Sequence, residues 1–247
     1  MSSYPHTTRA RARRRTTFYW PTAALALVAA LWFVPATAAQ AQSRGAGSEV
    51  LSDWEAADRV DRHGWEPRWG NWQANNRTPQ DWELRRFFDE TKYWGGWCGE
   101  RLKENVTGNF TGTTDEIIQW AAHKWGIDAD IIRAVAVKES YWNQDADGDW
   151  DEWGNSRSHG LIQIRDEVNP ATYPLSREST AFALDYYGAS LRFYYDGCAD
   201  WLGWGYGAGD IWGAVGAWYT GGWWDDGAQW YVGEVWNTLG NRTWEGF

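Results

Sequence analysis

The chain has 247 residues but one methionine, two cysteines and little leucine. Two cysteines are too few for a structural zinc site, which needs four ligands. They form either one bridge, Cys98 to Cys198, that closes a loop of about 100 residues, or two buried thiols. No glycine-rich phosphate loop, zinc motif or nucleophile elbow occurs, so the usual signatures of nucleotide and serine-hydrolase chemistry are missing. No internal repeat recurs at a fixed period. The longest apolar run, residues 23–34, holds about twelve residues, short of the ~20 a spanning helix needs. Positive charge is scarce as well. All five basic residues before position 42 are arginines in a stretch without acids, and the rest of the chain carries 18 basic against 33 acidic residues, a net charge of −15. Phosphate binding needs a basic footprint, so nucleic acid is not expected as a partner, and neither is polybasic attachment to a membrane surface.

What is abundant is acid and tryptophan, the latter 23 times. The N-terminus reads as an address. Arg9 to Arg15 precede the apolar run, and Ala36-Thr37-Ala38 and Ala39-Gln40-Ala41 both fit a small-residue cleavage site. This is the layout of a signal peptide over residues 1–41, with an uncleaved anchor as the alternative. A secreted or periplasmic protein with no stable membrane span after cleavage is expected, in a compartment that permits a disulfide.

Residues 42–110 read as an irregular tryptophan-rich extension of unknown role, with one plausible helix near 78–92. From 111 to 247 the pattern predicts a mainly α domain. Thr113 or Thr114 caps a helix closed by Gly126, and Asp128 caps the next, to about Trp142. Further helices are expected over 179–196, 209–219 and 227–239, separated by Gly- and Asp-rich loops.

On the 128–142 helix, Glu139 lies four residues past Val135 and three past Ala136, so it continues the apolar face. A carboxyl pushed toward a core holds its proton to higher pH, which suits protonation of a leaving oxygen. The other reading is a helix-end glutamate that reaches water or pairs with Arg133. After Glu139-Ser140 come Asn143 and then Ser158-His159-Gly160-Leu161-Ile162-Gln163-Ile164. This order resembles the lytic transglycosylases and goose-type lysozymes, which carry a Glu-Ser at a helix end and a Gly-Leu-Met-Gln-like segment some twenty residues later. Trp218-Tyr219-Thr220-Gly221 stands where the family has Tyr-Asn-Ala-Gly, and Ile162 where it has Met. The resemblance spans about residues 113–235. It implies a lysozyme-like fold, Glu139 as catalytic acid and base, and Ser140, Trp142, Gly160, Leu161, Gln163, Trp218 and Tyr219 at the substrate. The implied reaction is cleavage of the β-1,4 bond between N-acetylmuramic acid and N-acetylglucosamine in peptidoglycan, leaving 1,6-anhydro ends. A lysozyme-like or chitinolytic hydrolase, and a non-catalytic glycan-binding cell-wall protein, stay open as alternatives.

The run from Asn143 to Asp151 places oxygen ligands at Asn143, Asp145, Asp147 and Asp151 and glycine at 148, with Asp149 between, much like the first part of an EF-hand calcium loop. Bound Ca2+ is one reading, and a solvated acidic loop the other. Flat indoles suit the apolar faces of sugars. Trp142, Trp150, Trp153, Trp218, Trp223 and Trp224 are expected to line subsites, and Trp120, Trp125, Trp212 and Trp236, at helical spacing, to fill the core.

Overall fold

The computed structural model describes residues 46–91, 94 and 96–247. The signal peptide expected over residues 1–41 lies outside the described residues. Among those described, no helix is long and apolar enough to cross a membrane.

Local rules set most helix boundaries. Ser52 and Glu55 form a capping box at the start of α1 (Asp53–Ala57). A 3-10 turn leads into the short α2 (Trp72–Asn75). Gln80 and Glu83 box the start of α3 (Asp81–Glu90), within the span expected near 78–92. The helix α4 (Gly96–Lys103) has no counterpart in the sequence reading. Thr113 caps α5 (Thr114–Trp125) through a capping box with Glu116, and Gly126 ends it in the left-handed region, φ 60°. Asp128 caps α6 (Ala129–Ser140), which stops two residues early because Tyr141 and Trp142 both take positive φ. Three two-residue strands follow, β1 (Asp147–Gly148), β2 (Ser158–His159) and β3 (Ile164–Arg165), paired antiparallel in that order. Then come α7 (Leu175–Glu178), α8 (Thr180–Tyr195) capped by Ser179, α9 (Ile211–Thr220) capped by Asp210, and α10 (Asp226–Asn241) capped by Asp225. The protein is mainly helical, as the periodicity indicated.

The helix α8 is the hub. It is buried along most of its length and packs against α4, α5, α7 and α9, while α10 closes over α6 and α9. At Gly188 the ring of Trp125 from α5 occupies the space a Cβ would need, so this glycine sets how closely α5 and α8 approach. Between the same two helices lies a buried ion pair. Lys124 Nζ is 2.7 Å from Asp185 Oδ2, and Asp185 also accepts from Trp125 Nε1 (2.7 Å) and the backbone N–H groups of Thr107 (2.8 Å) and Gly108 (2.9 Å). Lys124 reaches Asp53 as well, at 2.6 Å. Both charges are therefore fully satisfied in a place where an unpaired one would be costly.

That network corrects the expected boundary at 110/111. Leu51, Ala56, Phe87, Trp94, Leu102, Val106 and Phe110 belong to the same core as α5 and α8, and Phe110 stacks on Trp120 with ring centres 5.3 Å apart. The segment was read as irregular because its apolar residues are spaced among charges and gain their burial from partners distant in sequence. Cys98 and Cys198 form a disulfide joining α4 to the end of α8.

Tryptophan divides differently from the expectation too. Trp120 and Trp125 are fully buried, as expected, but so is Trp142, while Trp236 is exposed and Trp212 only half-buried. The chain wraps Trp142 inward because two successive positive-φ residues turn it under α6, where its Nε1 donates to Arg133 O (3.0 Å).

Candidate active site

The geometry starts at the C-terminal end of α6. Ile131, Ile132, Val135 and Ala136 are buried, and Glu139 follows on the same face. The alternative pairing with Arg133 is not formed. That guanidinium faces the other way, at 2.6 Å from Asp115 and 2.7 Å from Asp130. Glu139 instead accepts a hydrogen bond from the hydroxyl of Tyr231 on α10. The buried Tyr187 of α8 lies close enough to feel its charge. Glu139 is half-buried, with one side on a cleft and the carboxyl otherwise surrounded by protein. Burial pushes its pKa up to about 7, and the negative charge of Asp149 adds to the rise. The Tyr231 hydrogen bond and the nearby Lys138 charge act in the opposite direction. Tyr231 is itself held well above its ordinary pKa by burial and by Glu139, so its hydroxyl stays a donor.

The cleft has a volume of about 730 Å³. Around Glu139 its wall is made by Asp149, Ser158, Gln163, Trp218 and Tyr219. Asp149 follows β1 and accepts from Ser158 Oγ on β2. Gln163, at φ 49°, donates to Ala146 O (3.2 Å) and Gly160 O (3.0 Å), and its other amide atom lies against Gly148, where a Cβ would collide with it. Its side chain is thus fixed by the loop before any ligand arrives. Trp218 meets Tyr187 edge-on at 5.0 Å, and Tyr219 lies flat on Tyr231 at 4.4 Å.

Of the residues expected at the substrate, Glu139, Gln163, Trp218 and Tyr219 line the cleft. Four others are placed differently. Ser140 Oγ donates to Leu161 O (2.8 Å), stitching the end of α6 to the Gly-Leu-Ile-Gln segment. Leu161 and Trp142 are fully buried core residues. Gly160 has φ 79°, and the carbonyl of Ser176 fills the space of its absent Cβ, so chain packing demands the glycine. Trp150 and Trp153 are exposed and away from the cleft wall. Trp223 packs on Tyr206, and Trp224 donates to Asp210 at 2.7 Å.

No family model, curated protein or solved structure matches this chain.

Sequence reading missed Tyr231 and Tyr187. The available signal was chemical, because a tyrosine on the buried face of a helix, beside Ala228, Val232 and Val235, needs a partner for its hydroxyl.

The acidic run does not converge on a point. Asn143 Nδ2 donates to Ser140 O (2.8 Å) and serves to end α6. Asp145 is exposed. Asp147 faces His159 (2.8 Å) and Arg177 (3.2 Å), Asp149 faces Ser158, and Asp151 faces Arg157 (3.1 Å) and the backbone of Trp153 and Asn155. Asp147 and Gly148 lie in β1, and no group of three or more His, Cys, Asp or Glu among the described residues could hold a metal ion. In this arrangement Asp147, Asp149 and Asp151 are each turned to a different set of side chains and N–H donors.

Proposed function

We propose that this chain cleaves β-1,4-linked amino-sugar glycans, with peptidoglycan as the preferred substrate class, in the manner of a lytic transglycosylase. The observation that carries the proposal is Glu139, a carboxyl whose burial raises its pKa to about 7 on the wall of a cleft large enough for several sugar rings. Near neutral pH its protonated form donates a proton to the glycosidic oxygen as the C1–O4 bond breaks. The substrate acetamido group stabilises the positive charge left at C1. The sugar's own 6-hydroxyl then attacks C1, forming the C1–O6 bond, and its proton passes to the Glu139 carboxylate. The acid is restored and no water is consumed. Tyr231 holds the carboxyl in place through its O–H, and Tyr219 braces Tyr231 from the cleft side. Trp218 and Gln163 offer an apolar face and an amide to the sugar.

Asp149 favours a second reading. It lines the same cleft and its charge raises the pKa of Glu139; acting on a water molecule, it would make the reaction a hydrolysis. The test is to incubate the chain from residue 42 onward, and its Glu139→Gln variant, with purified peptidoglycan and chitin oligomers, and to weigh the products. Anhydro products, about 18 Da below the reducing sugar, and absent with the variant, support the proposal. Reducing ends indicate hydrolysis. Binding without products by either protein means a non-catalytic glycan-binding protein.

A further inference from the structure

Two buried tyrosines stand near Glu139, and the proposed reaction uses only one of them. Tyr231 comes from α10 and Tyr187 from α8, and both are shut off from solvent. Consecutive residues at the end of α9 hold them. Trp218 packs edge-on against Tyr187 with ring centres 5.0 Å apart, and Tyr219 lies flat on Tyr231 at 4.4 Å. Trp218, Tyr219 and Glu139 share the cleft wall. The Tyr231 hydroxyl donates to Glu139 Oε1. The buried Tyr187 hydroxyl has no hydrogen-bond partner among the described residues. It lies within electrostatic reach of both Glu139 and Tyr231.

An unpaired buried hydroxyl costs stability, and native chains keep few of them. Phenylalanine would fill the same space against Trp218 with no polar atom to satisfy, so packing does not explain the oxygen. A partner that exists at only one stage of the reaction does explain it, and Glu139 is such a group. Among the described residues its carboxyl has a single donor, Tyr231, on Oε1. One donor suits the protonated acid, whose second oxygen carries the proton. It leaves the carboxylate short, because a buried ionised carboxylate calls for several donors. The charged neighbours do not fill the gap. Lys138 on α6 is engaged with Glu234 of α10 at 3.0 Å, and Asp149 beyond β1 is negative.

We infer that Tyr187 Oη is a second hydrogen-bond donor to Glu139, engaging Oε2 in the carboxylate form, and that Tyr187 is thereby a positioning residue for the acid–base cycle. In the acid step the proton leaves Oε2 for the glycosidic oxygen, and Tyr187 turns its O–H to the oxygen that has become negative. When the sugar 6-hydroxyl gives its proton to Oε2, the bond from Tyr187 is released. No proton passes to or from the tyrosine. This role rests on the glycan-cleaving reading, whereas the pairing itself is a property of the protein without substrate.

The test reads the pairing first and turnover second. The Glu139 carboxyl is titrated by 13C NMR in protein labelled at glutamate Cδ, with its signal assigned by its loss in Glu139→Gln. The parent, Tyr187→Phe, Tyr231→Phe and the double variant are compared, with circular dichroism as the check of fold. Glu139 in the parent should titrate at about 7. Tyr187→Phe should move it up by about 1 pH unit, and the double variant farther than either single one. In urea, Tyr187→Phe should unfold at the parent midpoint or above it at pH 5, where the hydroxyl has no partner to lose, and below it at pH 8.5. A Tyr187→Phe titration that matches the parent, or an equal loss of stability at both pH values, overturns the pairing. On peptidoglycan, Tyr187→Phe should lower kcat about tenfold with KM little changed, and carry the alkaline limb upward with the NMR value. An NMR shift with unchanged kcat overturns the positioning role. An NMR shift in a protein that cleaves no glycan leaves the pairing standing and sinks the glycan-cleaving reading.

Discussion

Glu139 sits between influences of opposite sign, and each can be removed separately. Tyr231 donates to the carboxylate form and so lowers its pKa, while Asp149 repels that form and raises it. If Glu139 must be protonated to act as an acid, kcat/KM falls as pH rises through about 7. Tyr231→Phe should move this limb to higher pH with a lower maximum rate, and Asp149→Asn should move it to lower pH. A pH–rate profile of each variant against the parent checks both, and a shift in the same direction for the two would contradict the assignment. The same raised pKa has a consequence for folding. An unfolded glutamate ionises at its ordinary value, near 4.5. Between that pH and about 7 the folded state holds the extra proton, so stability falls as pH rises through this window. Glu139→Gln removes the penalty. The variant should match the parent below pH 4.5 and be more stable above pH 7, by of order 1–2 kcal/mol after allowing for the side of Glu139 open to the cleft, as read from urea unfolding at pH 4 and pH 8.

At the scale of elements, the contact between α5 and α8 is the tightest to perturb. Gly188→Ala places a methyl group into the Trp125 ring and should cost about 1–3 kcal/mol by overpacking, measured as a lowered urea midpoint. The hairpin of β1 and β2 gives a different forecast. Asp147 and Asp151 are matched to arginine, histidine or backbone donors and Asp149 to the Ser158 hydroxyl, so millimolar calcium should leave the melting temperature unchanged. A rise of several degrees would show that the run rearranges around the ion. What the sequence made legible follows the same division. Thr113, Gly126, Asp128, Ser179 and Asp210 are cap residues whose effect is local, and they placed α5, α6, α8 and α9 correctly. The periodicity of α6 also placed Glu139 on the inward face. The positive-φ pair Tyr141 and Trp142 was not legible, because neither residue type favours that conformation and only the surrounding contacts hold it. Leu161 and Gly160 were assigned to substrate although their constraints come from Gln144 and Ser176, partners that no local spacing reveals.

The whole molecule is held by long-range connections rather than by its order along the chain. Residues 46–110, which look separable in sequence, supply Asp53 and Thr107 to the Lys124–Asp185 pair and several side chains to the core. Asp185→Asn leaves Lys124 Nζ with a weakened buried partner set and should destabilise the protein by about 3–5 kcal/mol, measured by chemical denaturation. A loss under 1 kcal/mol would mean that the pair is solvated. The pair also has a bearing on how the chain is made. Lys124 and Asp185 are 61 residues apart. At the usual ~5–20 residues per second of synthesis, the lysine emerges roughly 3–12 seconds before its carboxylate. Throughout that interval Lys124 of α5 has Asp53 but not Asp185 to pair with. The core that α5 shares with α8 therefore cannot close until α8 has been made.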